Sequence, residues 1–194
     1  MTKGRLEAFS DGVIAIIITI MVLELKVPHG ADLAALRPLA PAFLSYVLSY
    51  VYLGIYWNNH HHLLHAARHV DGRILWANLH LLFWLSLFPF VTHWTGENGF
   101  AAVPVAVYGV VLLMAGFGYW LLVRALIARH GSGSVLATAI GSDVKGHASL
   151  AIYVLAILVA SANPWISFGL YVAVAVLWLV PDPRIERALA ERKE

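Results

Sequence analysis

Five histidines crowd a short stretch in the first half of the chain and are the residues best suited to bind a metal ion. They are His60, His61, His62, His65 and His69. The last members follow one another at intervals of four residues, which places imidazoles on one helix face, as metal ligation requires. A membrane di-metal enzyme would need further clusters on other helices, and the remaining histidines, among them His80, His93 and His147, are scattered. No metal or other cofactor is therefore predicted.

The composition indicates that lipid rather than water surrounds most of the chain. Of the 194 residues, 60% are hydrophobic and only 12% are charged, whereas soluble domains carry about 25% charged residues. The absence of cysteine excludes disulfides and thiolate metal sites. The pI near 9.0 comes from lysines and arginines at the ends of apolar segments, and no long basic run suggests a nucleic-acid partner. The expected surroundings are a lipid bilayer.

Six apolar segments are long enough, or nearly so, to span a bilayer as helices. They are Leu6–Val27, Leu39–His62, Arg73–Trp94, Ala101–Ala128, Gly146–Ala162 and Pro164–Val180. The predicted fold class is an all-α integral membrane protein with six transmembrane helices in a single domain over residues 1–194. Pro181 and Pro183 are expected to end the last helix, so that residues 182–194 form a short cytoplasmic tail.

The distribution of lysine and arginine predicts the orientation in the membrane. If the N-terminus is inside, the inner connections and the two ends hold most of the basic residues. These are Lys3, Arg5, Arg68, Arg73, Arg129, Lys145, Arg184, Arg187, Arg192 and Lys193. The outer connections hold only Lys26 and Arg37. Both termini are therefore predicted to be cytoplasmic.

The first helix carries polar residues deeper than an ordinary transmembrane helix does. Its apolar run from Gly12 to Leu23 covers roughly 18 Å of a bilayer core of about 30 Å. Ser10 and Asp11 must then reach membrane depth or the inner interface, where ionisable groups need partners. The inner ends of the second and third helices offer such partners. We predict one polar network across these helices, drawn from Arg5, Ser10, Asp11, Asn58, Asn59, His60, His61 and Asn78.

Another face of the first helix is smooth and mostly apolar. At the helical repeat of 3.6 residues per turn, one stripe collects Gly12, Ile16, Thr19, Ile20, Leu23 and Val27. Asp11 points about 140° away from Ile16 on this wheel, toward the predicted network. From the residues alone, lipid contact or ordinary helix packing is the favoured explanation of the stripe, and a functional surface is the alternative.

The first helix also contains an R-x-x-x-F-S-D motif, which runs from Arg5 through Phe9 and Ser10 to Asp11. This motif and the isoleucine-rich run after it resemble the bacterial branch of the endolysosomal potassium channel family. Further support comes from Tyr56-Trp57-Asn58-Asn59-His60-His61, and from Asn78-Leu79 with Phe88-Pro89-Phe90-Val91-Thr92. The resemblance covers the whole chain, which shares the family's lack of a TVGYG filter.

The resemblance implies a homotetramer in a bacterial plasma membrane, because family members with one six-helix repeat place four first helices around a pore. The family's constricting isoleucine falls on Ile16, its next hydrophobic layers fall on Ile20 and Leu23, and its pore-side threonine falls on Thr19. The expected function is a potassium-permeable cation channel and not an enzyme. Potassium and other monovalent cations are then the permeating partners.

A hydrophobic constriction would select ions without binding them. Isoleucine side chains offer no oxygen to replace lost water, so the more weakly hydrated K⁺ should pass more easily than Na⁺, by a modest factor. Two other functions stay open at this stage. One is a metal-dependent membrane enzyme that uses the histidines. The other is a secondary transporter, although the inverted repeat and broken helices typical of transporters are not evident.

Overall fold

The computed structural model describes residues 2–67, 69–131, 137 and 143–179, which form helices and short connections. The helices are α1 (Lys3–Leu23), a 3-10 helix (Leu33–Leu39), α2 (Ala40–Ala66), α3 (Gly72–Ser86), α4 (Phe88–Glu97), α5 (Ala102–His130), α6 (Val144–Val159) and α7 (Pro164–Leu179). The all-α fold class is confirmed. Arg68, the two prolines after α7 and the tail 182–194 with its basic residues lie outside the described part.

Six apolar spans can be recognised in this helix order. The four long enough to cross a bilayer are Lys3–Leu23, Leu33–Ala66, Gly72–Glu97 and Ala102–His130. α6 and α7 are shorter apolar helices of 16 residues each, or about 24 Å. We call the end of the bundle where α1 begins and α2 ends the basic end, because Lys3, Arg5, Arg73 and Arg129 lie there.

The third span is interrupted, which the sequence analysis did not anticipate. α3 ends at Ser86 and α4 begins at Phe88, so that Leu87 belongs to neither helix. The cause is Pro89, which has no N–H and whose ring displaces the carbonyl four residues earlier. The backbone N–H of Leu87 instead donates to the carbonyl of Trp84 over 3.2 Å. The helical hydrogen-bond pattern of the span is therefore interrupted between α3 and α4.

Aspartates define where three of the helices begin. The carboxylate of Asp71 accepts from the backbone N–H of Ile74 over 3.0 Å at the start of α3. Asp32 caps the 3-10 helix and Asp143 caps α6 in the same way, over 3.0 and 3.1 Å. A side-chain oxygen at the N-cap satisfies an N–H that has no partner within the helix. The 3-10 helix extends the second span before Leu39, where the sequence analysis placed its start.

Buried hydroxyls join the helices inside the subunit. Ser49 of α2 lies 2.6 Å from the hydroxyl of Thr92 on α4 and 2.8 Å from that of Tyr108 on α5. Tyr52 donates to the carbonyl of Tyr171 on α7 over 2.6 Å. Polar groups surrounded by lipid must find partners within the protein. These bonds therefore connect the first half of the chain to the second.

A close approach between helices occurs where α5 crosses α3. A Cβ atom at Gly118 would lie 3.0 Å from the Cα atom of Leu81, so only glycine fits without moving the backbone. Leu81 and Leu122 on either side of this contact are fully buried. α5 is thereby held against α3, and α1 packs on α2, α3 and α4.

Candidate ion-conducting face

α1 has one face buried inside the subunit and one face exposed. The buried face consists of Leu6, Ser10, Ile14, Ile17 and Met21. This spacing of three or four residues is that of a single helix face. Because the buried face packs on α2, α3 and α4, the subunit itself determines which side of α1 remains open.

The open side carries the stripe found on the helical wheel. We call Gly12, Ile16, Thr19, Ile20 and Leu23 the α1 ridge; all five are exposed. Ile16 is 58% exposed and Leu23 is 81% exposed. The subunit therefore leaves uncovered the positions that the resemblance assigns to the pore.

Thr19 is the hydroxyl-bearing residue of the ridge, and its hydroxyl proton already takes part in a hydrogen bond. Its Oγ1 donates to the carbonyl of Ile16 in the same helix over 2.9 Å. A hydroxyl that donates to its own helix directs its lone pairs away from that carbonyl. Thr19 can therefore offer an acceptor, but not a free donor, to whatever lies against the ridge.

A buried chain of hydrogen bonds connects the buried face of α1 to α2 and α3. The Nδ2 group of Asn78 on α3 donates to the hydroxyl of Ser10 over 3.0 Å. On the other side of the amide, Oδ1 lies 2.7 Å from Nε2 of His60 on α2. Ser10 in turn donates to the carbonyl of Leu6 over 2.8 Å. The three polar side chains are at most 1% exposed, so this chain joins α1, α2 and α3 in the interior.

Asp11 lies outside that chain and has a different partner. Its Oδ1 accepts from the indole Nε1–H of Trp57 on α2 over 3.0 Å, and both residues are exposed. The indole stacks on His61 with ring centroids 6.1 Å apart. His61 stacks in turn on His65, again at 6.1 Å. An exposed row of flat rings thus runs along α2 from the carboxylate toward the basic end.

The remaining motif residues do not join the buried chain. Arg5 and Asn58 are exposed, and Phe9 is 49% exposed. Asn59 donates to the carbonyl of Ile55 in its own helix over 2.9 Å. The structure therefore brings Ser10, His60 and Asn78 together and places the other predicted members around them.

Ion pairs occupy the opposite end of α1. Nζ of Lys26 lies 2.7 Å from Glu97 at the end of α4. Glu24 lies 3.7 Å from Nδ1 of His93. The sequence placed Lys26 near an outer connection but did not reveal its partner Glu97, which lies 71 residues away in the chain. It also missed Trp57 as the partner of Asp11, although Trp57 lies one helical turn before His60.

The histidines do not assemble with carboxylates into a metal site. Within residues 2–67, 69–131 and 143–179, no three His, Asp or Glu side chains lie close enough together to hold a metal ion. His61 and His65 stack as flat rings instead. The geometry in this part of the chain gives the metal-enzyme alternative no support.

Comparisons with known proteins relate this chain to ion channels. The family model described as endosomal/lysosomal potassium channel TMEM175 matches residues 5–89, which include the motif and the ridge. A potassium channel of Chryseobacterium sp. is 56% identical over 191 residues, which cover 98% of this chain and 100% of that channel. Human endosomal/lysosomal proton channel TMEM175 is 36% identical over 96 residues, 43% of this chain and 19% of that protein.

A solved structure shares the fold. The crystal structure of a lysosomal potassium-selective channel TMEM175 homolog from Chamaesiphon minutus superposes with a TM-score of 0.81 at 28% sequence identity. The match covers 93% of this chain and 97% of that one. These relatives are channels and not enzymes. The chain therefore belongs to the TMEM175 family, and it is a membrane channel for potassium or other cations.

Proposed function

We propose that this chain is one subunit of a homotetrameric, potassium-permeable channel in which four copies of the α1 ridge surround the pore. The observation that carries the proposal is the exposure of the ridge in a subunit whose other α1 face is buried. Lipid alone would suit isoleucine and leucine. The similarity of the chain to potassium channels favours a pore over a lipid-facing surface for this ridge.

Ile16 is the narrowest point of this pore and its main selectivity element. It is the first large side chain of the ridge after Gly12, and its side chain projects into open space. Four branched side chains around an axis leave an opening smaller than a hydrated cation. Because they provide no oxygen, the cost of passage rises with the strength of hydration, so Na⁺ is hindered more than K⁺.

Ile20 and Leu23 form further hydrophobic layers, and Thr19 lies between Ile16 and Ile20. The hydroxyl of Thr19 donates to the carbonyl of Ile16, which leaves its lone pairs for a cation. Four such oxygens just beyond the constriction would partly replace the water that an ion has lost. When the Ile16 ring closes, the same layers would exclude water and stop conduction by dewetting.

The buried chain from Ser10 through Asn78 to His60 positions the ridge. It anchors α1 to α2 and α3 less than two helical turns before Ile16. The basic end faces the cytoplasm of a bacterial cell, since it carries most of the lysines and arginines among the described residues. Both chain ends are then cytoplasmic, and cations leave or enter the cytoplasm at this end of the ridge.

The proposal is tested by flux through the purified protein. In liposomes that hold a K⁺ gradient, the channel should dissipate the gradient, and replacing K⁺ by Na⁺ should slow the flux. Light scattering in mild detergent should give the mass of four chains. A monomeric mass, or liposomes no leakier than empty ones, would contradict the proposed pore.

A further inference from the structure

Two further stripes of exposed or half-buried residues run along the subunit, one on each side of the α1 ridge. We call the stripe on α2 the α2 seam, and its members are Phe43, Val47, Tyr50, Gly54, Trp57 and His61. We call the other stripe the α3–α4 seam, and its members are Trp76, Leu79, Phe83, Ser86 and Phe90. Both seams advance in alternating steps of three and four residues, which is the spacing with which one helix packs along another.

Contacts of α1 show that the two seams border the ridge from opposite directions. On the helical wheel of α1, Asp11 lies about 140° from Ile16 in one direction, and Glu24 lies about 80° from it in the other. Asp11 contacts Trp57 of the α2 seam, whereas Glu24 contacts His93 of α4. α5 covers a different side of α3, so the α3–α4 seam stays open.

In the proposed homotetramer, on which this inference rests, four α1 ridges face one axis. Rotation about that axis brings the α2 side of each subunit toward the α3–α4 side of the next. Rotation also preserves height in the membrane. Heights measured within one subunit therefore show which residues of the two seams would meet between subunits.

The outer part of the two seams lies at one height. Ser49 of α2 is 2.6 Å from Thr92 of α4, hydroxyl to hydroxyl. The nearest seam residues are Tyr50, one position farther along α2, and Phe90, two positions before Thr92. At 1.5 Å per residue these two lie level to within about 2 Å. A contact between Tyr50 of one subunit and Phe90 of the next therefore needs no shift along the axis.

The same register continues toward the basic end. His60 of α2 is hydrogen-bonded to Asn78 of α3, so His61 of one seam and Trp76 of the other also lie level to within about 2 Å. The two seams run antiparallel and match at both ends. They can therefore stay in contact over about 16 Å, the rise of α2 between its two matched positions.

Small residues occupy the middle of each seam. A Cβ atom at Gly54 would meet nothing within 4 Å inside the subunit. Ser86 is exposed, and its hydroxyl donates to the carbonyl of Phe83 in its own helix over 2.7 Å. In membranes, small residues at an interface let two helices approach closely. Large side chains flank this pair on both seams, so each seam has the same profile of large and small residues.

The exposed area suits an interface between proteins. Trp76 is 75% exposed, and Phe90 is 60% exposed. At about 200 Å² for an aromatic side chain, the two seams together expose roughly 800 Å² of side-chain surface. Exposed residues of α1 beside the ridge, such as Ala15, add to this area. The sum approaches the 1,000 Å² or so that a specific interface needs.

We propose that the α2 seam of each subunit packs against the α3–α4 seam of the next subunit. The partner of both seams is a second copy of this chain. The contact is heterologous, because each subunit offers a different seam to each of its two neighbours, and four such contacts close a ring. Lipid could cover either seam alone, but lipid contact does not require that the two seams match in spacing, length and height.

Disulfide cross-linking of the full-length chain in bacterial membranes tests the contact. The chain contains no cysteine, so introduced cysteines report only on their own positions. With Tyr50→Cys and Phe90→Cys in one chain, oxidation by copper phenanthroline should convert most of the monomer band into a ladder of up to four chains. Co-expression of the two single variants should give cross-linked dimers, which a bond within one chain cannot produce.

Two kinds of control locate the contact. Either single variant expressed alone should stay monomeric on the gel, because each seam meets the other seam and not itself. Tyr50→Cys combined with Trp76→Cys uses the same two seams at the wrong height, about 21 Å apart along the axis. A disulfide needs Cα atoms within about 7 Å of each other, so this pair should not cross-link.

A substitution without cysteine tests the same contact by mass. Gly54→Leu has room inside the subunit but would collide with the neighbouring seam. Light scattering in mild detergent should show that the mass of four chains is lost. Gly169→Leu is the control, because its Cβ position on α7 is equally open and lies outside both seams. This variant should keep the mass of four chains.

The outcomes separate this inference from the proposed function. A wild type with the mass of four chains whose matched cysteines do not cross-link would overturn the inference alone, and lipid would then cover the seams. Cross-linking of the wrong-height pair to the same extent, or of a single variant alone, would overturn it too. A monomeric wild type would overturn the proposed function together with the inference. If the cysteine variants do not fold, a Gly54→Leu protein that keeps the mass of four chains still contradicts the contact.

Discussion

Asn78 of α3 donates a hydrogen bond from Nδ2 to the hydroxyl of Ser10 on α1 over 3.0 Å, and both side chains are fully buried. On its other side the same amide contacts His60 of α2. Asn78 therefore connects α2 and α3 to α1, the helix that carries the ridge. In the proposed channel, the width of the pore depends on how these hydrogen bonds position α1.

Replacing Asn78 by leucine should destabilise the subunit. Leucine is close in size, but it leaves the imidazole of His60 and the hydroxyl of Ser10 without their partner in the interior. Each buried polar group left unsatisfied costs about 1–3 kcal/mol. The expected result is a clearly lower Tm in detergent. Asn58→Leu is the control, since Asn58 is exposed at the same end, and equal Tm values for the two variants would contradict the assigned role.

Asp11→Asn should alter conduction more than stability. The sequence predicted that Asp11 belongs to a polar network across three helices. The structure shows an exposed carboxylate with Trp57 as its hydrogen-bond partner, so the stability change should stay below about 1 kcal/mol. Removing the charge lowers the local cation concentration, and K⁺ conductance should fall most at low ionic strength.

Trp57→Phe is the matched variant for this prediction. It removes the indole donor but keeps the carboxylate and a ring to stack on His61. Single-channel conductance should remain near that of the wild type. If Asp11→Asn instead failed to assemble while Trp57→Phe assembled normally, the charge of Asp11 would have a structural role at a contact between subunits.

Gly118→Ala should weaken the packing of α5 on α3. The added Cβ atom would lie 3.0 Å from the Cα atom of Leu81 and 3.4 Å from its backbone nitrogen. Backbone atoms cannot move aside as a side chain can, so we expect a loss of about 1–3 kcal/mol. Gly169→Ala in α7 is the control, because nothing lies within 4 Å of its Cβ position. There alanine should be neutral or stabilising by up to about 1 kcal/mol. Similar denaturation curves for both variants would contradict the close contact.

The sequence predicted the spans well because lipid leaves few alternatives to an apolar helix. The predicted second segment contains most of α2, and its error lies at the start, where Asp32 caps a 3-10 helix that hydropathy does not reveal. The interruption at Leu87 was also missed. Hydropathy is continuous across Phe88 and Pro89, and only the stereochemistry of proline indicates the interruption.

The site was predicted unevenly for a related reason. Periodicity identified the ridge, because exposure on a helix follows its repeat. It could not tell which polar neighbours bond to one another at hydrogen-bond distance. Asn78 and His60 reach Ser10 because of how α3 and α2 are rotated about their axes, whereas Trp57 reaches Asp11 across the surface. Helix rotation is determined by packing such as that at Gly118, and the sequence does not show it directly.

The central claim is that Ile16 forms the constriction and provides the selectivity. Ile16→Asn puts amide groups where an apolar ring stood, so a cation can exchange water for amide oxygen. Conductance should rise and the K⁺ over Na⁺ preference should weaken, with assembly intact because the ridge is not packed within the subunit. Ile16→Val keeps an apolar ring, and Leu158→Asn places the same amide on an exposed position of α6. The Val variant should remain K⁺-preferring, and the Leu158 variant should behave as the wild type.

The most direct measurement is the reversal potential with K⁺ on one side of the membrane and Na⁺ on the other, for the wild type and these variants in planar bilayers. The account predicts a reversal potential that favours K⁺ in the wild type, Ile16→Val and Leu158→Asn. For Ile16→Asn it predicts a potential nearer to zero together with a larger conductance. An unchanged potential and conductance in an Ile16→Asn protein that is shown to be tetrameric would contradict the claim and place the constriction elsewhere.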